Sequence, residues 1–237
     1  MPQLSSMSVR SRRAGLLWLL ATLTGGTALM YVRSHVYVPG DAAATSAAIL
    51  ANVFRFRFAI VGMLLSQLAM LFLALELYRV FVPLERVLAR VLLVSMIISV
   101  TLACANQLPN LIALLLLGPE PYLQIFPQAQ RETAVLLLLR VQNGVGQGLL
   151  EIFWTPFYVA LGLLVLRTRA LPRVFGALLI LMGAGFAVNI LDKLLVPHFQ
   201  PELFTQAAMG LGALGAIPTM LWLLVRGFAL PLAGRPK

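Results

Sequence analysis

FAIVGMLLSQLAMLFLALELY, running from Phe58 to Tyr78, is 21 residues long and carries one charge, Glu76, near its far end. The hydrocarbon core of a bilayer is about 30 Å thick and takes about 20 helical residues to cross. Inside it every backbone N–H and C=O must be paired within the segment, which a helix does and an extended strand alone does not. The run therefore reads as a transmembrane helix. Five further apolar runs share its character: Ala14 to Val32, Val87 to Leu117, Gly144 to Leu166, Val174 to Leu191 and Leu203 to Val225. The expected fold is all-α, a bundle of six transmembrane helices forming one integral membrane domain over residues 1–237.

Composition agrees with that reading. Hydrophobic residues make up 60% of the chain and charged residues 11%, against about 45–50% and 25% in soluble domains. The net charge of +10 raises the question of nucleic acid. The basic side chains, however, stand singly between apolar runs and form no stripe, tail or aromatic-interleaved face, so no nucleic acid partner is expected. Loops resting on anionic lipid headgroups account for the charge better. Cys104 is the single cysteine and has no internal disulfide partner. The N-terminal Arg10, Arg12 and Arg13, followed by an apolar run, resemble a signal peptide. That run exceeds the usual h-region of about 7–15 residues and lacks a small-x-small site before Arg33, so an uncleaved first helix is expected.

The distribution of lysine and arginine sets the orientation. With six crossings both ends lie on one side, and that side collects 12 of the 18 basic residues against six on the other. Both termini are expected in the cytoplasm of a bacterial plasma membrane. Tyr31, Tyr78, Tyr122 and Trp222 fall near proposed helix ends, where interfacial aromatics belong. In the first outer loop, Pro39, Gly40 and Asp41 precede AAATSAAILAN, so Asp41 is expected to cap a short helix. Its apolar face would hold Ile49, Leu50, Val53 and Phe54, lying along the membrane surface or over the bundle. Pro109 should bend or break the long third crossing near its outer end, and Gln128 to Arg140 should run as a helix straight into the fourth.

The loop motif PGDAAATSAAILAN, together with FRF, SQLAM and LALELYRV on the second helix, resembles a family of bacterial multi-pass membrane proteins known as domain of unknown function 4386. The likeness extends to LPRVFGALLILMGAGF, from Leu171 to Phe186, and to LWLLVRG, from Leu221 to Gly227. It implies a six-helix integral membrane protein and brings no activity with it.

Polar side chains inside lipid are costly and mark the places where function is sought first. Counted at 1.5 Å per residue from the cytoplasmic ends of their helices, Asn106, Glu151 and Asn189 all come out roughly 22–28 Å up. Asn143, Gln147 and Glu151 repeat every four residues and so share a helix face, while Asn106 with Asn110 and Asn189 with Asp192 make shorter stripes. Arg140 and Lys193 lie just above, placed to neutralise Glu151 or Asp192. Read functionally, this set is an outward-facing polar cavity for a solute or lipid headgroup. Read structurally, it is a seam of interhelical hydrogen bonds. Glu76 and Arg79 are spaced for an interfacial ion pair, and Ser66 and Gln67 for bonding between helices.

Other apparent motifs carry less. Gly210, Gly212 and Gly215 match the dinucleotide fingerprint spacing but sit in an apolar span with no strand before them. They and the Gly144, Gly148 pair fit close helix contact, within the chain or between copies in a homo-oligomer. His35 and His198 lack the further ligands a metal site needs. No catalytic motif, metal site or cofactor is expected. The sequence thus leads to a membrane protein of unassigned activity, structural, regulatory or lipid-associated. The alternatives are a small-solute or ion permease using the polar cavity and an intramembrane enzyme using Glu151 with Asp192 as paired carboxylates.

Overall fold

The computed structural model describes residues 2–195 and 202–228. Among them the elements are helical, with no strand. In chain order they are α1 (Pro2–His35), α2 (Ala42–Ala51), α3 (Val53–Phe81), α4 (Arg86–Ala105), α5 (Leu108–Leu116), α6 (Gln128–Val141), α7 (Gln147–Thr168), α8 (Arg173–Leu195) and α9 (Glu202–Val225). A 3₁₀ turn covers Pro121–Leu123, and a π turn, Gln142–Gly146, joins α6 to α7.

Among the described residues five stretches are long and apolar enough to cross a bilayer: Val9–Val32, Val53–Phe81, Arg86–Leu116, Gln128–Thr168 and Arg173–Leu191. Many of their large apolar side chains face outward, Met30, Phe54, Phe58 and Val87 among them. In water such a surface would be an aggregation hazard. Against acyl chains it costs nothing, and together the helices mark a membrane protein. The expected sixth crossing coincides with α9, of which the apolar stretch Gly210–Val225 is shorter than the other five. Four of the five also outrun the expected spans, because polar ends continue the helix past the apolar core. The first reaches back through Arg10, Arg12 and Arg13 to Pro2.

The described chain folds as two compact units. Unit 1 comprises Met1–Leu20, Ala69–Val100 and Gly148–Lys237, and unit 2 comprises Ala21–Leu68 and Thr101–Gln147. In unit 1, α8 and α9 lie side by side, with fully buried Leu73, Leu77, Phe81, Leu92, Phe157, Leu161, Leu164, Leu179 and Leu223 in its core. The helices touch through glycines. A Cβ on Gly162 would stand 2.5 Å from the Gly176 carbonyl, and one on Gly215 2.6 Å from Leu178 Cβ. Gly212 is likewise pressed onto Met182. Gly212 and Gly215 of the fingerprint-like run are thus packing residues used within the chain, whereas Gly210 and Gly144 meet nothing within 4 Å.

Unit 2 has a smaller core, made by Val36, Ile49, Phe56, Ile60, Ala113, Val135 and Leu139. The Asp41 carboxylate accepts the Ala44 N–H at 2.8 Å and caps α2. Thr45 fastens the preceding loop by bonding both the N–H and the carbonyl of Val38 at 3.1 Å. The expected apolar face of α2 is divided, however: Ile49 is buried, whereas Leu50 and Phe54 are exposed. Thr45 and Ser46 are buried instead, and α2 packs against α6. The break expected from Pro109 occurs two residues before it. α4 ends at Ala105, and Pro109 sits in the first turn of α5, where its missing N–H has no partner to lose.

Candidate functional site

The seven polar positions singled out by depth and spacing fall into both units. In unit 1, Asn189 of α8 donates its Nδ2 to Glu151 Oε2 of α7 at 2.5 Å. Glu151 is almost fully buried, so an ionised carboxylate there requires donors, and the amide supplies one. Four residues further on, the Thr155 hydroxyl donates to the Glu151 carbonyl at 3.2 Å. Pro156 deprives the helix of the bond its N–H would have made to the Ile152 carbonyl. The side chains of Asp192 and Lys193, and His198 altogether, lie outside the described residues.

One turn from this bond lies a cluster of rings. Tyr158 and Phe186 stack with centroids 5.7 Å apart, and Trp154 meets Phe186 edge-on at 5.4 Å. Trp154 and Tyr158 follow Glu151 by three and seven residues, and Phe186 precedes Asn189 by three, so ring and polar contacts share one α7–α8 seam. The rings fill one another's faces. Their spacing from Glu151 and Asn189 was the signal in the sequence, and depth alone did not bring it out.

In unit 2 the other polar residues gather where two helical paths depart from α geometry. Asn106, in the turn between α4 and α5, donates to the Gln142 carbonyl of the π turn at 3.4 Å. Gly146 makes this approach feasible, because any Cβ there would collide with the Asn106 amide oxygen. Asn110 donates to Gln107 Oε1 at 2.9 Å, and both are buried; the Asn110 Oδ1 has no partner. Asn143 turns back to its own helix at the Leu139 carbonyl, 2.9 Å away. Gln147 is half-buried. Of the stripe expected from Asn143 through Gln147 to Glu151, Asn143 lies in the π turn, whose i→i+5 bonds depart from the four-residue spacing, while Gln147 and Glu151 both lie in α7 and keep it. Among the described residues no group of three or more His, Cys, Asp or Glu is placed to hold a metal.

A hollow of about 510 Å³ lies elsewhere in unit 2, between α1 and α3. Thr24, Thr27 and Tyr31 face Arg55, Phe58 and Leu65 across it. Its floor is the contact of the two helices, where a Cβ on Gly62 would be 3.4 Å from Ala28 Cβ. Just beyond the deep end, Ser66 donates to the Ala21 carbonyl at 2.8 Å and locks the pair. Ser66 thus makes the bond between helices expected of it, whereas the buried Oε1 of Gln67, expected to do the same, has no partner. The groove itself exists only once α1 and α3 are laid antiparallel, and no single run encodes it.

A family model described as Domain of unknown function (DUF4386) matches residues 13–227. No curated protein and no solved structure matches the chain.

Proposed function

The chain belongs to the family described as Domain of unknown function (DUF4386), and from that premise we propose a six-span, lipid-associated protein of the bacterial plasma membrane with both ends cytoplasmic. α9 supplies the sixth crossing, and α2 lies in the outer loop. Anionic headgroups meet the arginines of the cytoplasmic loops. The observation that carries the reading is where the polar groups are spent. Glu151 is bonded to Asn189, Asn106 to the π turn and Asn110 to Gln107, while the hollow in unit 2 is lined almost wholly by apolar atoms. A solute path asks for the reverse, with polar groups facing an aqueous space.

A permease is the second reading, and one observation favours it: the break after α4 and the π turn before α7 meet at Asn106, beside the unpartnered Asn110 oxygen. Irregular backbone at facing positions is how many transporters build sites. Native mass spectrometry after purification from membranes, combined with sodium and proton flux in vesicles of the same protein, separates the two. The proposal expects retained phospholipid and no flux above empty vesicles. Flux that Asn110→Leu abolishes would replace it with the permease.

A further inference from the structure

We propose that the groove between α1 and α3 holds one anionic phospholipid, an acyl chain along its length and the phosphate on the guanidinium of Arg55. The inference rests on the lipid-associated reading and adds a site, a ligand class and a recognising residue.

Arg55 and Leu65 both line the groove and are ten residues apart on one continuous helix, a rise of about 15 Å. That is half of the roughly 30 Å hydrocarbon core, the depth of a single leaflet. The two walls of the trough run antiparallel, so Tyr31 shares the Arg55 end and Thr24 the Leu65 end. Its volume of about 510 Å³ falls in the range of about 300–1,000 Å³ typical of ligand sites.

The chemistry is arranged by depth in the same order as a lipid. Phe58, Val61 and Leu65 leave large apolar surfaces exposed, and the Thr27 hydroxyl is turned away to its own helix at the Leu23 carbonyl, 2.6 Å off. The groove, lined almost wholly by apolar atoms, therefore offers little that would hold water. Charge appears only at the mouth. Arg55 is exposed and makes no ion pair among the described residues. The carboxylates of unit 2 are committed elsewhere or lie off the groove: Asp41 caps α2 and Glu132 accepts from Gln128, and Glu120 is not among the lining residues. An uncompensated guanidinium above a leaflet-deep apolar trough complements a phosphate with a chain beneath it, and a guanidinium pairs phosphate through two parallel bonds. A free phosphate would leave the trough unused.

The test uses the full chain in nanodiscs of equal phosphatidylglycerol and phosphatidylethanolamine, released and weighed by native mass spectrometry. Wild type should retain one phosphatidylglycerol. Arg55→Gln should lower that retention roughly tenfold, the scale of one charge-assisted hydrogen bond, and Arg55→Lys should restore part of it. Thr27→Phe, which fills the groove from an exposed position, should lower retention while leaving the thermal midpoint unchanged. Arg57→Gln, two residues along and not lining the groove, should behave as wild type. Retention of lipid that is indifferent to Arg55 and Thr27, or equal for both lipids, overturns this site and leaves the lipid-associated reading standing. No retained lipid in wild type overturns both.

Discussion

Unit 1 and unit 2 are made of the same residue types and solve opposite problems. In unit 1 the helices close on one another: glycines let α7 meet α8 and α8 meet α9 with no room for a methyl group, and the buried carboxylate of Glu151 is answered by an amide on the next helix. Unit 2 contains a helix break, a π turn and a groove open along α1 and α3. Apolar composition alone does not distinguish a packed seam from a surface kept for lipid. What distinguishes them is whether small residues face a neighbouring backbone or open space.

The contrast is most easily broken at the glycines. Gly162→Leu drives a side chain into the Gly176 carbonyl and should cost about 3 kcal/mol or abolish folding, read as unfolding in mixed micelles of rising dodecyl sulfate content. Gly26→Leu, on a face of α1 with nothing within 4 Å, should shift the same transition by less than about 0.5 kcal/mol. Equal effects would mean that the α7–α8 contact and this open face of α1 are packed alike.

Gly146→Ala should destabilise unit 2 by about 1–3 kcal/mol, because the new methyl displaces Asn106 from the Gln142 carbonyl. Adding Asn106→Ala to the same chain should recover most of that loss; an additive double variant would deny the contact. In unit 1, a double-mutant cycle of Glu151→Gln and Asn189→Ala should report a coupling of about 0.6–1.7 kcal/mol, the range of interhelical hydrogen bonds in membranes. The weakest effect belongs to Arg167→Gln. Its ion pair with Glu85, at 3.0 Å, is largely exposed, so a loss below about 1 kcal/mol that vanishes in high salt is expected.

Much of this architecture was legible in the residues alone. Length and hydropathy place helices, and an Asp before an alanine run places a cap. Pro109 places a break, and the three-residue spacing of Glu76 and Arg79 gives an ion pair, 3.0 Å in the structure. The site was less legible, for a physical reason. Counting 1.5 Å per residue gives only an expected height, on which Asn106, Glu151 and Asn189 were grouped; contact also requires azimuth, which a single chain run does not supply. Asn143 lies in the π turn over QNGVG, and nothing in those residues distinguishes five-residue bonding from four. Glu151 therefore met Asn189 on α8, while Asn143 turned to its own Leu139 carbonyl. The groove was invisible for a related reason: Tyr31 and Arg55 belong to different helices and share a rim only after those helices pair.

The central claim, an even number of crossings with lipid around them, is tested most directly by impermeant maleimide labelling of right-side-out spheroplasts. The parent chain carries Cys104→Ala, with either Asn52→Cys beside α2 or Lys237→Cys at the end added. The account predicts that Asn52→Cys labels in intact spheroplasts and that Lys237→Cys labels only after permeabilisation. Labelling of both from outside would mean an odd number of crossings with α9 failing to span, and would contradict the six-span account.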